Sequence, residues 1–370
     1  MTRLRGVGWD HERCRGPMLA AAARWRELCG DEIAWDFRPL ASFNDQPVTE
    51  LAASYDLIVI DHPFVGTAAA TRCLAPLDEL VAAETLALLD ADTVGPSHAS
   101  YGYCGRQWAV ATDAACQVAA ARDDLLPVLP QTWDDVLALA QQEPGRMAMP
   151  LDPTDAICSL LTLCAARGSA LGEDSAVDED AVAYLSELVP NLHPDSFGFN
   201  PPRLLDRMST SDEIAYVPLV FGYTNYSRSG RPERRLRFLD LPTPGSVLGG
   251  AGLAVSAGAS DPMAAAAFAG WVAGAEAQRE VVFPSGGQPA SRTVWRDPAA
   301  DALAGGFFSG TLDTIEAAHV RPRDPWWPAF QARGGKLLTA GLREGKAPGA
   351  IAHGLAALRR EASTKHGLTL

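Results

Sequence analysis

The chain has 370 residues, of which 47% are hydrophobic and 21% are charged, so it is long enough for two globular domains of ordinary composition. Its net charge of −14 argues against nucleic acid as a partner, because a protein that binds a duplex needs a basic surface to displace counterions from the phosphates. The densest basic segment, residues 231–237, includes a glutamate among turn residues, and we interpret it as a solvated loop.

The amino-terminal segment is positively charged but is not followed by an apolar stretch. Residues 6–15 are mostly polar and charged, a pattern that predicts neither a signal peptide nor a lipobox. No apolar run is long enough to span a membrane, so no membrane insertion is expected. We therefore predict a cytoplasmic protein, or an extracytoplasmic one if the true start lies upstream. The seven cysteines, an odd number without a CxxC pair, fit a reducing compartment.

The first third of the chain alternates predicted strands and helices. Leu4–Trp9, Ile33–Phe37 and Tyr55–Ile60 are predicted strands, the last being a continuous apolar run typical of a central parallel strand. A helix with Pro17 in its first turn is predicted between the first two strands. This order predicts a doubly wound, mostly parallel sheet.

The middle of the chain has weaker signals. Residues 106–122 contain no helix signal and are predicted to be extended. The segment Thr132–Asp135 resembles a capping box that opens a helix, and a further helix is predicted over residues 178–189. The apolar run Ile214–Val220 predicts a strand, which Pro218 restricts to an edge or an end.

The last third combines one predicted strand with several helices. Leu248–Ser256 is predicted to be a glycine-rich strand, and Asp261 is expected to cap a helix that runs to about residue 281. Two tail helices are predicted over residues 325–341 and 347–365. The sequence contains no internal repeat and no low-complexity linker, so we expect several strand-like crossings to join the domains.

Four ordered pieces of sequence carry a resemblance that covers almost the whole chain. They are Tyr55–Asp61 with Leu74–Leu80, Asp113–Leu126 with Pro130–Leu137, Gly249–Ser256 with Ala264–Val272, and Arg321–Trp326 with the two tail helices. Pro130–Leu137 is similar to a "PxTWDEL" helix start, and Ala264–Val272 is similar to an "AAxxFxxWL" helix. Together the segments resemble the extracellular solute-binding protein family 1, which includes sugar-binding receptors.

The resemblance implies an α/β, two-lobed periplasmic-binding-protein-like fold of type II. Each lobe would contain a doubly wound, mostly parallel sheet, and a ligand cleft between the lobes would close by a hinge. The resemblance assigns residues 1–112 and 250–310 to lobe 1, and residues 113–249 and 311–370 to lobe 2. It also implies a small-molecule ligand, and an ABC permease as a partner if the protein is exported.

Two Asp-His dipeptides, Asp10-His11 and Asp61-His62, follow predicted strands. Ligands of open α/β sheets bind beyond the carboxyl ends of the strands, so both pairs are candidate ligand contacts. Their carboxylates could bind hydroxyl groups, as in sugar receptors. Equally, a histidine oriented by an aspartate could act as a general acid or base. The structural alternative is that each aspartate caps the next helix and each histidine lies at the surface.

Further candidate ligand contacts lie in several parts of the chain. They are aromatic rings that could stack on a ligand, amide and guanidinium donors, and groups near the predicted crossings. The set comprises Trp9, Asp113, Gln117, Tyr223, Asn225, Tyr226, Arg228, Gly250 and Gln288. In the resembled family the position of Asp113 faces the cleft, and a hinge-stabilising role is the alternative for Asp113 and Gln117. For the tyrosine-rich segment the alternative is packing inside a lobe.

Two functions stay open at this point. The first is a carbohydrate-type binding protein that closes on a small polar ligand, either sugar-like or hydroxylated or carboxylated. The second is an enzyme on the same scaffold, of the lyase, isomerase or cyclase type, that uses Asp-His acid–base chemistry. No cofactor and no metal are expected, because HxxxH, HExxH, GxGxxG and P-loop patterns do not occur.

Overall fold

The computed structural model describes residues 1–40, 43, 46–169, 177–231 and 233–366. The chain divides into two compact units. Unit 1 comprises Met1–Ala115, Gly249–Ala300 and Arg323–Pro325, and unit 2 comprises Cys116–Leu248, Asp301–Pro322 and Trp326–Leu370. The predicted ranges differ from these units at residues 113–115, 249, 301–310 and 323–325.

Each unit combines strands with helices, as expected for the predicted α/β class. The strands of the described residues are β1 (Arg3–Trp9), β2 (Glu32–Arg38), β3 (Leu57–Ile60), β4 (Gly102–Tyr103), β5 (Arg106–Gln107), β6 (Val110–Ala121), β7 (Tyr216–Phe221), β8 (Arg237–Leu239) and β9 (Leu248–Val255). The helices are α1 (Glu12–Cys29), α2 (Val48–Ala52), α3 (Val65–Thr71), α4 (Ala83–Asp92), α5 (Trp133–Gln142), α6 (Pro153–Ala166), α7 (Glu179–Leu188), α8 (Pro201–Thr210), α9 (Pro262–Ala273), α10 (Ala275–Ala277), α11 (Arg292–Trp295), α12 (Pro298–Leu303), α13 (Phe307–Glu316), α14 (Trp327–Arg343) and α15 (Pro348–His366). Within the described residues, no helix combines the length and the apolarity needed to cross a membrane.

The sheet of unit 1 is parallel at one side and antiparallel at the other. Strand β1 pairs in parallel with β2 and with β3, and β3 pairs antiparallel with β9. All four residues of β3 are buried, as the continuous apolar run predicts for a strand covered on both faces. The first half of β6 lies beside β9, where the Thr112 hydroxyl donates to the carbonyl oxygen of Ala251 at 3.3 Å.

Two helices of unit 1 have bounds that differ from the expected ones. Helix α1 begins at Glu12, ahead of Pro17, because the Nδ1 atom of His11 accepts a hydrogen bond from the backbone N–H of Arg13 and caps the helix. Helix α9 ends at Ala273, because Gly274 adopts an extended conformation with φ −69° and ψ 148°. The expected single helix to about residue 281 is therefore α9, α10 and a π-turn over Gln278–Val282.

The strand pairs of unit 2 differ from the mostly parallel sheet that was expected. Strand β6 pairs antiparallel with both β7 and β8, and the bridge between Met147 and Tyr216 is parallel. The pairing of β6 with β7 shifts in register between Val118 and Ala120. Pro218 lies in the part of β7 opposite this shift, where the register gives it no partner residue on β6.

Unit 2 contains a large hydrophobic core formed by its helices and strands and a smaller hydrophobic cluster around Trp327. Helix α14 packs against α6 and α15, and α15 packs against α7. The predicted capping box at the start of α5 is confirmed, with Thr132 and Asp135 bonded reciprocally. Residues 301–310 belong to this unit because α13 packs on β8, with the rings of Phe307 and Phe238 5.0 Å apart.

Candidate functional site

The carboxyl ends of β1 and β3 bring the two Asp-His dipeptides to the same edge of the unit 1 sheet. Gly6 pairs with Leu57 and Val7 with Ile58. The same register carried forward places Asp10 level with Asp61. Since both strands are parallel, the two dipeptides follow adjacent strand ends, which is where open α/β sheets bind ligands.

The first dipeptide has one exposed and one structural side chain. The Asp10 carboxylate is 56% exposed and accepts a bond from the guanidinium of Arg15 at 3.0 Å. The Nδ1 atom of His11 caps α1 at 3.1 Å from the backbone nitrogen of Arg13. Asp10 therefore keeps most of its surface for a ligand, whereas one nitrogen of His11 is already committed to the helix.

The second dipeptide is buried. Asp61 accepts a hydrogen bond from the backbone N–H of His62 at 2.9 Å and caps a short 3₁₀ turn over His62–Phe64. The His62 side chain is 0% exposed, and its Nδ1 atom lies 3.2 Å from Oδ1 of Asp61. The ring of Tyr101 meets the imidazole edge-on at a centroid distance of 6.3 Å. The expected alternative of a capping aspartate holds here, but His62 lies in the interior and not at the surface.

A buried ion pair lies next to these strand ends. Nε of Arg13 donates to Oδ2 of Asp113 at 2.6 Å, and Nη2 of Arg13 donates to Oδ1. Both side chains are less than 10% exposed. Burial raises the pKa of Asp113, and the Arg13 guanidinium opposes that rise. Because Arg13 engages both carboxylate oxygens, the geometry favours the stabilising role for Asp113, and ligand contact stays a prediction.

Arg13 is a residue that the sequence analysis missed. It lies in the first turn of α1, where an arginine is normally solvated, and its partner is a hundred positions away in the chain. No local pattern signals such a pair.

Trp9 is buried in an aromatic contact at the end of β1. It is 5% exposed, and its ring lies 5.0 Å from that of Phe43. Its indole N–H has no hydrogen-bond acceptor within the described residues. A cavity lined by Trp9, Arg13, Asp113 and Gln288, among others, leaves about 10 Å³ for a water-sized molecule, which is room for about one water. The cavity is thus too small for a sugar, and stacking of Trp9 on a ligand stays a prediction.

Gly250 and Gln288 hold the first half of β6 in place. Gly250 has a φ of +98°, and a Cβ atom there would lie 2.4 Å from the carbonyl oxygen of Asp113. The Gln288 side chain donates to the carbonyl oxygen of Ala114 at 2.7 Å, and the Ala114 N–H donates back to the Gln288 carbonyl at 3.3 Å. These contacts explain both residues structurally.

Gln117 lies inside unit 2. Its amide nitrogen donates to the Ser159 hydroxyl at 3.0 Å, and the Thr162 hydroxyl donates to its amide oxygen at 2.6 Å. The residue is 0% exposed. Both ends of the amide thus serve the interior of the unit, as a stabilising role requires.

The tyrosine-rich segment of unit 2 is also packed. The Tyr226 hydroxyl donates to the carboxylate of Asp206 at 2.9 Å, and the guanidinium of Arg231 lies 4.3 Å from the centre of its ring. Tyr223 meets Tyr226 edge-on at 6.3 Å. Burial raises the pKa of Tyr226, and the nearby Asp206 adds to the rise. The ring that was expected to stack on a ligand is covered by the protein's own arginine.

The two polar members of this segment differ in burial. Asn225 is buried, and Arg228 is partly exposed. Nothing in the described contacts tests whether either one binds a ligand, so both stay predictions.

Unit 2 contains a buried polar cluster that the sequence analysis missed. Asp155 lies in the first turn of α6, and its burial raises its pKa well above the usual range. Asp152 adds to this rise, and the nearby guanidinium of Arg321 opposes it. Arg321 donates to the amide oxygen of Gln331 at 3.0 Å, and the indole N–H of Trp327 donates to the same oxygen at 3.2 Å. The signal that could have located it is Asp152-Pro153, a typical helix start that places Asp155 in the first turn.

Comparison with known proteins identifies the family. The family model described as bacterial extracellular solute-binding protein matches residues 45–304. No curated protein sequence matches the chain.

Many solved structures share the fold. Maltose-bound MalE3 of T. maritima is similar at a TM-score of 0.83 and 16% identity, covering 97% of this chain and 99% of that chain. An ABC-transporter solute-binding protein of Agrobacterium radiobacter K84 in complex with ribitol is similar at 0.81 and 18%, covering 98% of each chain. One from Agrobacterium vitis S4 with bound D-mannitol is similar at 0.80 and 16%, covering 99% of each chain. These likenesses confirm the periplasmic-binding-protein-like fold, and the family match shows that the chain belongs to the bacterial extracellular solute-binding proteins.

Proposed function

We propose that the protein binds a sugar or a polyol without changing it chemically. If the protein is exported, it presents this ligand to an ABC permease. The observation that carries the proposal is family membership combined with likeness, over nearly the whole length, to proteins that hold maltose, ribitol and D-mannitol. The identities of 16–18% leave the ligand of this chain open to experiment.

Asp10 is the side chain of unit 1 that suits this role best. It lies at the carboxyl end of a parallel strand, it is more than half exposed, and its carboxylate can accept bonds from two hydroxyl groups. The neighbouring Asp61 is buried and caps its own turn. A ligand at this edge of the sheet therefore meets Asp10 first.

Titration calorimetry with maltose, D-mannitol and ribitol tests the proposal. We expect saturable heat with at least one sugar or polyol from a wider panel of the same class. Amino acids and short peptides serve as the negative set and should give none. Binding of an amino acid or a peptide, with no response to any polyhydroxylated compound, would contradict the proposal.

The substitution Asp10→Ala should weaken that binding by about tenfold or more, because a hydrogen bond to a charged group contributes about 1.5–3 kcal/mol. The free energy of unfolding should change by less than about 1 kcal/mol, since within the described residues the Asp10 side chain forms only an exposed ion pair with Arg15. Asp36→Ala is the matched control, because Asp36 has a similar exposure and a similar pair with Arg5 at 3.0 Å but lies within β2. Equal losses of affinity in both variants would show that Asp10 does not contact the ligand.

The enzyme hypothesis rests on a single contact. His62 lies 3.2 Å from Asp61, as an acid–base pair would require, but the two residues are neighbours in the chain and the imidazole is fully buried. Helix-capping geometry explains the contact without catalysis. Mass spectrometry of the ligand after prolonged incubation separates the two functions, because an enzyme converts the compound that a binding protein returns intact.

The cellular location stays a prediction. Two of the seven free cysteines, Cys29 and Cys104, are exposed, and exposed thiols persist most readily in a reducing compartment. We therefore propose a cytoplasmic location. Cell fractionation with immunodetection tests it, and recovery of the protein outside the cytoplasmic membrane would refute it.

A further inference from the structure

A groove on unit 2 is lined by residues 234–237, which end the basic segment first interpreted as a solvated loop. The groove has a volume of about 690 Å³ and lies between β8 and the start of α13. Arg234, Arg235 and Arg237 line it, together with Asp123 and Asp124. Its volume lies within the range of about 300–1,000 Å³ that is typical of small-molecule sites.

The acidic residues of the groove already have partners. Both carboxylate oxygens of Asp124 bond to the buried Arg122 at 2.7 Å. Asp123 lies 3.5 Å from Arg237. Outside the groove lining, Asp212 binds Arg234 at 2.7 Å.

Arg235 differs from Arg234 and Arg237, the other two arginines that line the groove. It is exposed, and the described part of the chain gives it neither an ion pair nor a side-chain hydrogen bond. One guanidinium in the groove is thus left for an anion from solution.

The backbone around Arg235 is fixed on both sides. The N–H of Arg234 donates to the carbonyl oxygen of Ser209 at 3.2 Å, and the N–H of Leu236 donates to that of Tyr226 at 2.9 Å. The backbone therefore loses little conformational entropy when a ligand binds, and this small entropic cost favours binding.

We propose that this groove binds a phosphate-bearing small molecule, with the Arg235 guanidinium as the main contact. A guanidinium presents two parallel N–H donors that match two oxygens of a phosphate group. Arg237 is the second contact, and Asp123 competes with the ligand for it. The site lies wholly within unit 2 and does not depend on the sugar or polyol proposal.

Phosphate binding is measured by titration calorimetry at constant ionic strength, with inorganic phosphate and with a sugar phosphate as probes. The wild-type protein should bind at least one of them saturably. Arg235→Ala should weaken the binding by about tenfold or more, the effect of losing one charge-assisted pair. Asp123→Asn should tighten it, because the substitution releases Arg237 from its competitor.

Arg203→Ala is the matched control, since Arg203 is an exposed arginine of α8 in the same unit, outside the groove. It should leave the affinity unchanged. The melting temperature of each variant reports whether the fold is intact. The proposal is overturned if neither probe binds saturably, if Arg203→Ala weakens binding as much as Arg235→Ala, or if Asp123→Asn weakens it.

Discussion

Arg13 and Asp113 show how a single contact can decide the role of a residue. A carboxylate in a central strand of unit 1 is a plausible ligand contact from sequence alone. The structure gives both of its oxygens to one guanidinium. Both charges are therefore buried away from water, and the attraction between them offsets the desolvation penalty of each.

Removing one member of this pair should destabilise the protein strongly. We expect Arg13→Met to lower the free energy of unfolding by about 3–5 kcal/mol, because Asp113 is left buried without its partner. Arg15→Met is the control, since Arg15 forms an exposed pair with Asp10 and should contribute less than about 1 kcal/mol. Denaturant titration of both variants measures the difference. Equal effects would mean that burial of the Arg13 pair has no energetic consequence.

Asp155 leads to a pH-dependent prediction. Burial raises the pKa of its carboxyl well above the usual range, so the folded state holds this proton more tightly than the unfolded state. The contribution of the Asp155 carboxyl to the free energy of unfolding is therefore highest at acidic pH. It falls as the pH rises from about 4 through the folded pKa.

Asp155→Asn removes that dependence. The stability of the variant relative to the wild type should improve steadily as the pH rises above about 4. Denaturant titrations across the pH range provide the test, and a relative stability of Asp155→Asn that does not change with pH would refute the prediction.

At the level of the elements, one glycine sets the spacing of two strands. Gly250 allows β9 to approach the backbone of β6, where a Cβ atom would lie 2.4 Å from the Asp113 oxygen. Its positive φ is also unfavourable for any other residue. Gly250→Ala should therefore destabilise the protein by about 2 kcal/mol or more.

Gly258→Ala is the control for this prediction. The nearest atom to a Cβ at Gly258 is the Ser256 hydroxyl oxygen at 3.8 Å, which is ordinary contact. The free energy of unfolding of this variant should change by less than about 1 kcal/mol. Thermal unfolding of both variants decides the matter, and an equal, small effect at both positions would show that the strands can separate without penalty.

Much of the element order could be predicted from local patterns. The apolar run of β3, the Thr132–Asp135 capping box and the two tail helices each depend on neighbouring residues, and all of them are present in the structure. The start of α1 was placed too late, because a histidine cap is a weaker signal than Pro17.

The remainder depends on contacts between residues far apart in the chain. The antiparallel pairing of β6 with β7 and β8 depends on how the chain returns, which local periodicity does not encode. The same limit applies to the site. The predicted strand ends place Asp10 and Asp61 at the edge of the sheet. The contacts of Arg231 with Tyr226 and of Arg13 with Asp113 follow only from the three-dimensional structure.

At the level of the whole molecule, the fold and the family agree while the ligand is still to be determined. The family model matches residues 45–304, and the likeness to sugar- and polyol-bound proteins extends over 97–99% of the chain. Two units with separate cores match the expectation of two α/β domains.

We propose that the protein binds a polyhydroxylated solute and returns it unchanged. The most direct measurement is equilibrium dialysis of the purified protein against a metabolite extract of its host, followed by mass spectrometry of the retained and released compounds. We predict the enrichment of a sugar or a polyol that has the same mass before and after binding. Loss of a compound with the appearance of a product, or enrichment of a compound without hydroxyl groups, would contradict the claim.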